Sequence, residues 1–590
     1  MKLNVNKNIL WSKIFIDQLT SLGVRYACIS PGSRSTPLTY VISQNKKIKS
    51  YVHLDERSSA FFGLGIAKAN GSPTLIVTTS GTAVAELYPA IIEAYQQRVP
   101  LIICTADRPP ELIGTGANQT INQKNIFSNH IRWFRDLGLP SVSEKGLLHL
   151  RRLTIKAFDI CLTKDRGPVH LNFPFRKPLE PFNYTDEISK RILSFQPQKV
   201  VNGKSELRPR LTSATAKSID ELIKFERGII LVGPMDYDFE FIKNIKRISR
   251  LLKYPIIADG LSHLRFGISK KEKMILSNFN SILKSDNFIQ SHDPEIIIQS
   301  GRTPTSSELE IFLSKTSAKR YLINSYGDNF DPTRNAYAIL LMSEKNYSKI
   351  LLEHLKRKKF NRQPTSWFTD FLKAESVSQK TKVKIIESNK NINEPSLMTE
   401  IFKCLPVGIK IFIGNSLPVR DLDNFVGTTS KKLNVHFNRG ASGIDGITST
   451  ALGIASSKQK TILITGDLSF LHDLTALSIG AKYSFPLTIL VINNNGGGIF
   501  HSLPIANKVN YFNEFFITPH NLKISSLVKS FGIEYQKINT KTGLQDFLDK
   551  ILNKNRTSVL EIQTDSMRSL QLRNKYFSEV SKKLNKEFSE

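Results

Sequence analysis

Two turns in the last third of the chain hold residue types that can bind a diphosphate through a metal ion. A strand-like run, Thr461 to Thr465, ends in Gly466-Asp467-Leu468-Ser469. A second run, Pro486 to Ile492, ends in Asn493-Asn494-Asn495-Gly496, with Asn494 lying 27 positions after Asp467. Asp467 offers a hard anionic oxygen and Asn494 a neutral carbonyl oxygen. Gly496 adds a backbone carbonyl where glycine lets the chain turn sharply. With two diphosphate oxygens and a water, these three complete an octahedral Mg²⁺ shell, and Mn²⁺ is the alternative ion. Backbone amides from Gly466 to Ser469 can hold phosphate. The spacing is that of one strand–helix–strand unit, so both turns fall at one sheet edge.

A second chemical group lies far upstream. The run Tyr51 to Leu54 reads as a buried strand ending in Asp55-Glu56-Arg57. A carboxylate there is a candidate proton handler, because desolvation raises its pKa. The alternative is that Glu56 caps the following helix or pairs with Arg57. Downstream, Thr79-Ser80-Gly81-Thr82 forms another strand-to-helix turn and brings Ser80 and Gly81 into the same neighbourhood.

The elements that must position these groups alternate between short apolar runs and amphipathic stretches, the pattern of parallel sheets covered on both faces. Strands are predicted at Val24 to Ile29, Thr74 to Thr79 and Leu101 to Thr105, with helices over Arg57 to Ala69 and Ala83 to Tyr95. The pattern repeats at Gly228 to Val232, Pro255 to Ala258, Glu295 to Gln299 and Arg320 to Ile323. It appears a third time at Lys410 to Ile413, the two runs above, and Ser558 to Gln563. The fold class is α/β, with three doubly wound domains at residues 1–185, 216–355 and 395–580. The polar stretches 186–215 and 356–394 read as linkers, the second with some helix.

Length and composition agree with this layout. The chain has 590 residues, 40% of them hydrophobic and 23% charged, which excludes disorder as its dominant state. There is no apolar run long enough to span a bilayer. The N-terminus MKLNVNKNILWSKIF lacks the apolar core of a secretory signal, which predicts a cytoplasmic protein, or a plastid-stromal one in a photosynthetic source. Four scattered cysteines suit a reducing compartment. The formal charge of +31 raises a nucleic-acid or acidic-membrane partner. The densest basic run, Lys356 to Lys359, carries no aromatic ladder, so a lysine-rich surface is preferred and neither partner is expected.

Finer motifs carry a resemblance. They are Ser30-Pro31-Gly32-Ser33-Arg34-Ser35-Thr36-Pro37, Thr105-Ala106-Asp107-Arg108-Pro109-Pro110-Glu111-Leu112 and Gly116-Ala117-Asn118-Gln119-Thr120-Ile121. Later come Gly414-Asn415-Ser416-Leu417-Pro418-Val419-Arg420-Asp421, Asn438-Arg439-Gly440-Ala441-Ser442-Gly443-Ile444-Asp445-Gly446, and the Gly466 turn through Leu474. Together with the Asp–Asn pair and the upstream glutamate, they resemble the 2-succinyl-5-enolpyruvyl-6-hydroxy-3-cyclohexene-1-carboxylate synthases, thiamine diphosphate enzymes of menaquinone biosynthesis. The resemblance covers the first and third regions densely and the middle one only in layout.

The resemblance implies a set of roles. Glu56 would hydrogen-bond N1′ of the cofactor's aminopyrimidine, and Ser80, Gly81, Ser416, Leu417, Ile499 and Phe500 would also line the cofactor. Ser33, Arg34, Arg108 and Gln119 would hold isochorismate. Asn118, Ser416, Arg420 and Arg439 would hold the part derived from 2-oxoglutarate, with Leu503 nearby. Both substrates are dianions, which suits arginine's planar fork. Each site would join two subunits of a homodimer or homotetramer. In the middle region, Ser307 stands where the family carries a cation, and Arg302 is the candidate substitute. His472 is expected to pack or cap locally. The competing readings are another thiamine diphosphate decarboxylase or carboligase, and a basic nucleic-acid-binding protein with a decayed site.

Overall fold

The computed structural model describes residues 2–163, 165–184, 186–189, 212–269, 272–389, 391–506, 508–538, 540–551 and 554–588. It contains three six-stranded sheets in which every neighbouring pair is parallel. The first runs Lys49–Val52, Tyr26–Ile29, Thr74–Thr78, Leu101–Asp107, Val169–Pro174, Trp133–Asp136. The third runs Asn434–Phe437, Lys410–Ile413, Thr461–Gly466, Leu487–Asn493, Ser558–Gln563, Glu534–Ile538. Numbered by appearance in the chain, both have the order 2-1-3-4-6-5. The middle sheet has the order 3-2-1-4-5-6, from Ile275–Leu276 to Ala338–Leu341. Helices cover the faces, so the three-domain α/β class read from the sequence is present.

One core unites the first and third sheets: Cys28, Ile76 and Ile103 lie in the same buried cluster as Leu463, Ile489 and Val491. The contact is made by helices Glu56–Asn70 and Ile447–Ala455. They cross at two glycines: a Cβ on Gly65 would lie 2.1 Å from the Thr450 carbonyl oxygen, and one on Gly453 2.1 Å from that of Phe62. The C-terminal helix Ser566–Glu587 leaves the third region. Its Leu572, Tyr576, Val580 and Leu584 bury against helix Ser366–Ser388 and the middle sheet.

Several sequence expectations need correction. The strand placed at Tyr51 to Leu54 is Lys49–Val52, and Leu54 is 87% exposed. The helix expected over Ala83 to Tyr95 is two, Thr82–Ala85 and Tyr88–Gln97, with Pro89 in the first turn of the second. Proline fits that turn and not a helix interior. The linker 186–215 begins with a strand, Asp186–Ser189, paired antiparallel with Lys2–Val5. Residues 190–211 lie outside the described residues, and a helix starts at Ser213. Most of the stretch 356–394 is the 23-residue helix Ser366–Ser388, which buries Trp367, Phe371, Ala374, Ser378 and Ile385 along its length.

Candidate active site

Asp467 opens a short helix directly after strand Thr461–Gly466, and Asn494 follows the adjacent parallel strand Leu487–Asn493. Parallel pairing puts both at the carboxyl edge of one sheet. The Asp467 carboxylate accepts from the Leu468 amide at 2.7 Å and the Gly496 amide at 2.9 Å, and His520 Nε2 lies 3.3 Å away. Burial raises its pKa, against the pull of those two amides. Gly496, at φ +146°, lets Ile517 approach so closely that a Cβ would lie 2.2 Å from its carbonyl oxygen.

Asn494 carries a telling asymmetry. Its amide nitrogen donates to Glu394 Oε1 at 2.7 Å, while its Oδ1 is buried with no hydrogen-bond partner. An unsatisfied buried acceptor is costly, and a hard cation would satisfy it. A Cβ on Gly466 would meet open space. Among the described residues no group of three His, Cys, Asp or Glu could hold a metal ion. The donors here are instead one carboxylate, one amide oxygen and a backbone carbonyl, all oxygen, which fits Mg²⁺.

A cavity of ≈170 Å³ opens beside these groups, bounded by Ser416 and Leu417, the Gly466–Ser469 turn, Asn494, Gly496, Ile499 and Phe500. Its apolar walls and convergent polar groups are those of a cofactor pocket. Ser416, at φ +70°, precedes helix Leu417–Phe425, and Arg420 Nη1 donates to its carbonyl at 2.8 Å. Asn415 stitches two motifs together: its Nδ2 donates to the Asn438 and Gly443 carbonyls, and its Oδ1 accepts from Arg439 Nη1. Burial lowers the pKa of Arg420 and Arg439. An adjoining cavity of ≈590 Å³ holds Arg420, Leu503, Lys284 and Ser307. Ser307 bonds Glu308, which pairs with Lys284 at 3.0 Å. Arg302 turns away, donating to the Gln96 carbonyl at 2.7 Å, so it does not stand in for the cation missing at Ser307.

The first-region residues form their own cluster. Gly32 packs so tightly on the next turn that a Cβ would lie 2.5 Å from Thr79 Cβ, which holds Ser33 and Arg34 beside Ser80 and Gly81. Arg108 donates to Ser80 Oγ at 3.2 Å and the Asn118 carbonyl at 2.8 Å, and Gln119 Nε2 donates to the Ser80 carbonyl at 3.0 Å. Arg34 Nη1 donates to the Phe175 carbonyl, and its buried Nε has no partner. Burial and neighbouring Arg108 lower its pKa. Ser33, Asn118 and Gln119 are exposed.

Glu56 is the first residue of its helix, not the end of a buried strand, and the cap is Asp55, which accepts from the Ser58 amide. Arg57 pairs with Asp55 and donates to the His472 carbonyl. Both local alternatives for Glu56 therefore belong to other residues. Burial raises the Glu56 pKa, with Asp55 and Glu86 adding to the effect. No residue before Glu394 lines the ≈170 Å³ cavity, so within one chain Glu56 and the first-region cluster stand apart from it.

Sequence reasoning overlooked four residues. Glu93 accepts from the Gly440 and Ala441 amides, tying the first region to the Asn438 motif. Asp473 accepts from the Ser449 amide and hydroxyl. Glu394 and Arg573 sit behind Asn494. Glu93, Glu394 and Arg573 lie outside the quoted motifs, and Asp473 lies inside the Gly466–Leu474 one, where no role was read for it. Only their burial as charged side chains marks them.

Residues 11–126 match the family described as "Thiamine pyrophosphate enzyme, N-terminal TPP binding domain", and residues 427–562 match its C-terminal counterpart. The fold and cavity are thus those of a thiamine pyrophosphate enzyme. The chain is 40% identical to a 2-succinyl-5-enolpyruvyl-6-hydroxy-3-cyclohexene-1-carboxylate synthase of Trichodesmium erythraeum, over 95% of this chain and 96% of that protein. Proteins of the same name from Bacillus cytotoxicus and Haloquadratum walsbyi are 36% and 34% identical, the first over 96% of this chain and 95% of its own length, the second over 98% and 99%. The chain belongs to this synthase family.

Proposed function

We propose that the protein decarboxylates 2-oxoglutarate with thiamine diphosphate and adds the resulting succinyl unit to isochorismate in a 1,4-addition. The product is 2-succinyl-5-enolpyruvyl-6-hydroxy-3-cyclohexene-1-carboxylate, on the route to menaquinone or phylloquinone. The observation that carries this reading is the near-full-length similarity to relatives that bear this synthase name. Small-molecule chemistry in the cytoplasm suits it. Among the described residues no helix is long and apolar enough to cross a membrane.

Thiamine diphosphate, when bound, supplies a nucleophilic carbon and an electron sink. Asp467, Asn494 and the Gly496 carbonyl hold its Mg²⁺ or Mn²⁺, and amides of Gly466, Leu468 and Ser469 receive the diphosphate. Ser416 and Leu417 flank it, and Ile499 and Phe500 exclude water. Glu56 shares a proton with the aminopyrimidine N1′; its raised pKa keeps that proton available nearer neutral pH. Ser33, Arg34, Arg108 and Gln119 receive the carboxylates of isochorismate. Asn118, Ser416, Arg420 and Arg439 receive those of 2-oxoglutarate, beside Leu503. Because Glu56 stands outside the cavity of its own chain, the first-region cluster of one subunit completes the cavity of another, as a homodimer or homotetramer.

The test is turnover with 2-oxoglutarate, thiamine diphosphate and Mg²⁺, with and without isochorismate. Product and CO₂ that depend on isochorismate are expected. Equal CO₂ release without it would identify a simple decarboxylase.

A further inference from the structure

The metal-side amide of Asn494 is held by a buried charge relay that begins on the last helix of the chain. Arg573, on Ser566–Glu587, forks onto Asp421, with Nε to Oδ1 at 2.8 Å and Nη2 to Oδ2 at 2.6 Å. The same Nη2 donates to Glu394 Oε2. Glu394 Oε1 accepts from Asn494 Nδ2 at 2.7 Å and from Thr564 Oγ1 at 3.3 Å, and the Glu394 amide donates to Ser569 Oγ at 3.2 Å. Glu394 and Asp421 are 1% exposed and Arg573 9%. Burial works against the Arg573 charge, but Asp421 and Glu394 outweigh it and raise its pKa.

A carboxylate can only accept, so Glu394 can bond only the nitrogen end of the Asn494 amide. Its oxygen end must then face the other way, and it is there that Oδ1 lies buried without a partner. An unanchored amide could turn its nitrogen toward the cation, and an amide nitrogen is no ligand for Mg²⁺. The relay is also net negative, two carboxylates against one guanidinium, beside the place where a cation would sit.

We propose that Glu394 is a positioning residue that fixes the rotamer and amide orientation of Asn494 for metal binding, and that Arg573 holds Glu394 in place for this task. The inference rests on the assignment of Asn494 as a metal ligand.

The test is a double-mutant cycle on Mg²⁺ affinity, measured by calorimetric titration of the metal into full-length apo-protein with saturating thiamine diphosphate. Glu394→Ala should weaken Mg²⁺ binding roughly 10- to 100-fold, the usual effect of losing a partner behind a metal ligand. In an Asn494→Ala background the same change should cost less than about twofold, because the group it positions is gone. A merely structural Glu394 would cost the same in both backgrounds, and that result would overturn the proposal. Should Glu394→Ala fail to fold, Glu394→Gln offers a milder route. Its single oxygen cannot accept from both Arg573 and Asn494, and its NH₂ can face Oδ1 of Asn494, so the amide is no longer fixed. Weaker Mg²⁺ binding is therefore expected, as it is for Arg573→Gln in the same assay. Unchanged affinity in Glu394→Gln would overturn the positioning role. Unchanged affinity in Arg573→Gln would remove Arg573 from the role. Absence of any Mg²⁺ response in the unsubstituted protein would overturn the metal assignment itself, whereas a normal response there that Glu394→Ala leaves intact would overturn only the positioning role.

Discussion

The first and third sheets share the strand order 2-1-3-4-6-5, yet their carboxyl edges are furnished very differently. The third edge is concave: Asp467, Asn494 and the glycine turn wall a cavity, with buried charges behind them. The first edge is open: Ser33, Asn118 and Gln119 are exposed, and Glu56 has no side-chain partner among the described residues. Under the proposed function one scaffold serves two purposes: the third edge would hold the charged end of the cofactor, and the first would present a reactive face to another subunit. The difference lies in the loops, as it does in other doubly wound folds.

The sharpest way to break this comparison is at Glu56. Glu56→Gln should lower kcat by about 10²–10⁴-fold, the range of a lost proton-handling group, without changing cofactor affinity. Turnover and exchange of the cofactor's C2 proton by NMR would show it, and unchanged exchange would remove Glu56 from its role. Mixing this variant with Asp467→Ala chains sharpens the point. Activity that returns on mixing means that the open edge of one chain serves the concave edge of another. Next in size, Asp467→Ala should weaken Mg²⁺-dependent cofactor binding by roughly 100-fold, about 3 kcal/mol, as expected for a contact to a charged group. Unaltered affinity would place the metal elsewhere.

The join between the two regions gives smaller effects. Gly65→Ala forces a methyl into the Thr450 carbonyl and should destabilise the fold by about 1–3 kcal/mol. Urea titration of both variants checks this: Gly71→Ala, where a Cβ would meet open space but φ is +66°, isolates the backbone cost. Equal losses at both glycines would mean that the helix crossing is looser than described. Last comes a pH effect. Burial pushes the Asp473 carboxyl up to about 6, above its unfolded value of about 3.9. The folded state therefore holds this proton more tightly, and the stability that it confers is full below about pH 4 and lost as pH climbs through about 6. Asp473→Asn should shrink the fall in stability between pH 4 and pH 6, measured by denaturant unfolding. An unchanged slope would mean that Asp473 ionises normally.

The legible parts of this protein share one physical cause. Inner strands such as Gly228–Val232 and Lys410–Ile413 are buried on both faces, so they read as apolar runs. Edge strands Trp133–Asp136 and Glu534–Ile538 are half exposed and mix polar with apolar residues, so no apolar run announces them. Val169–Pro174 is fully buried yet escaped notice, because His170 and Asn172 interrupt it. Those two bond inward, His170 with Thr105 and Asn172 with Thr105 and Asp107. At the site, Asp467 and Asn494 were visible because their turns are rich in glycine. Glu394 and Arg573 were not, since they are separated by 179 positions and only the fold brings them together.

The position of Arg573 bears on how the protein is made. A ribosome releases Glu394, Asp421 and the whole Gly466–Phe500 segment well before it reaches the last helix. Until Arg573 arrives, two carboxylates destined for the interior lack the guanidinium that bonds both, and burying them without it is costly. The pairing of Arg573 with Asp421 and Glu394 is therefore complete only once the final helix has docked. A C-terminally shortened chain can carry every glycine-turn motif and still lack the Arg573 pairing behind Asn494.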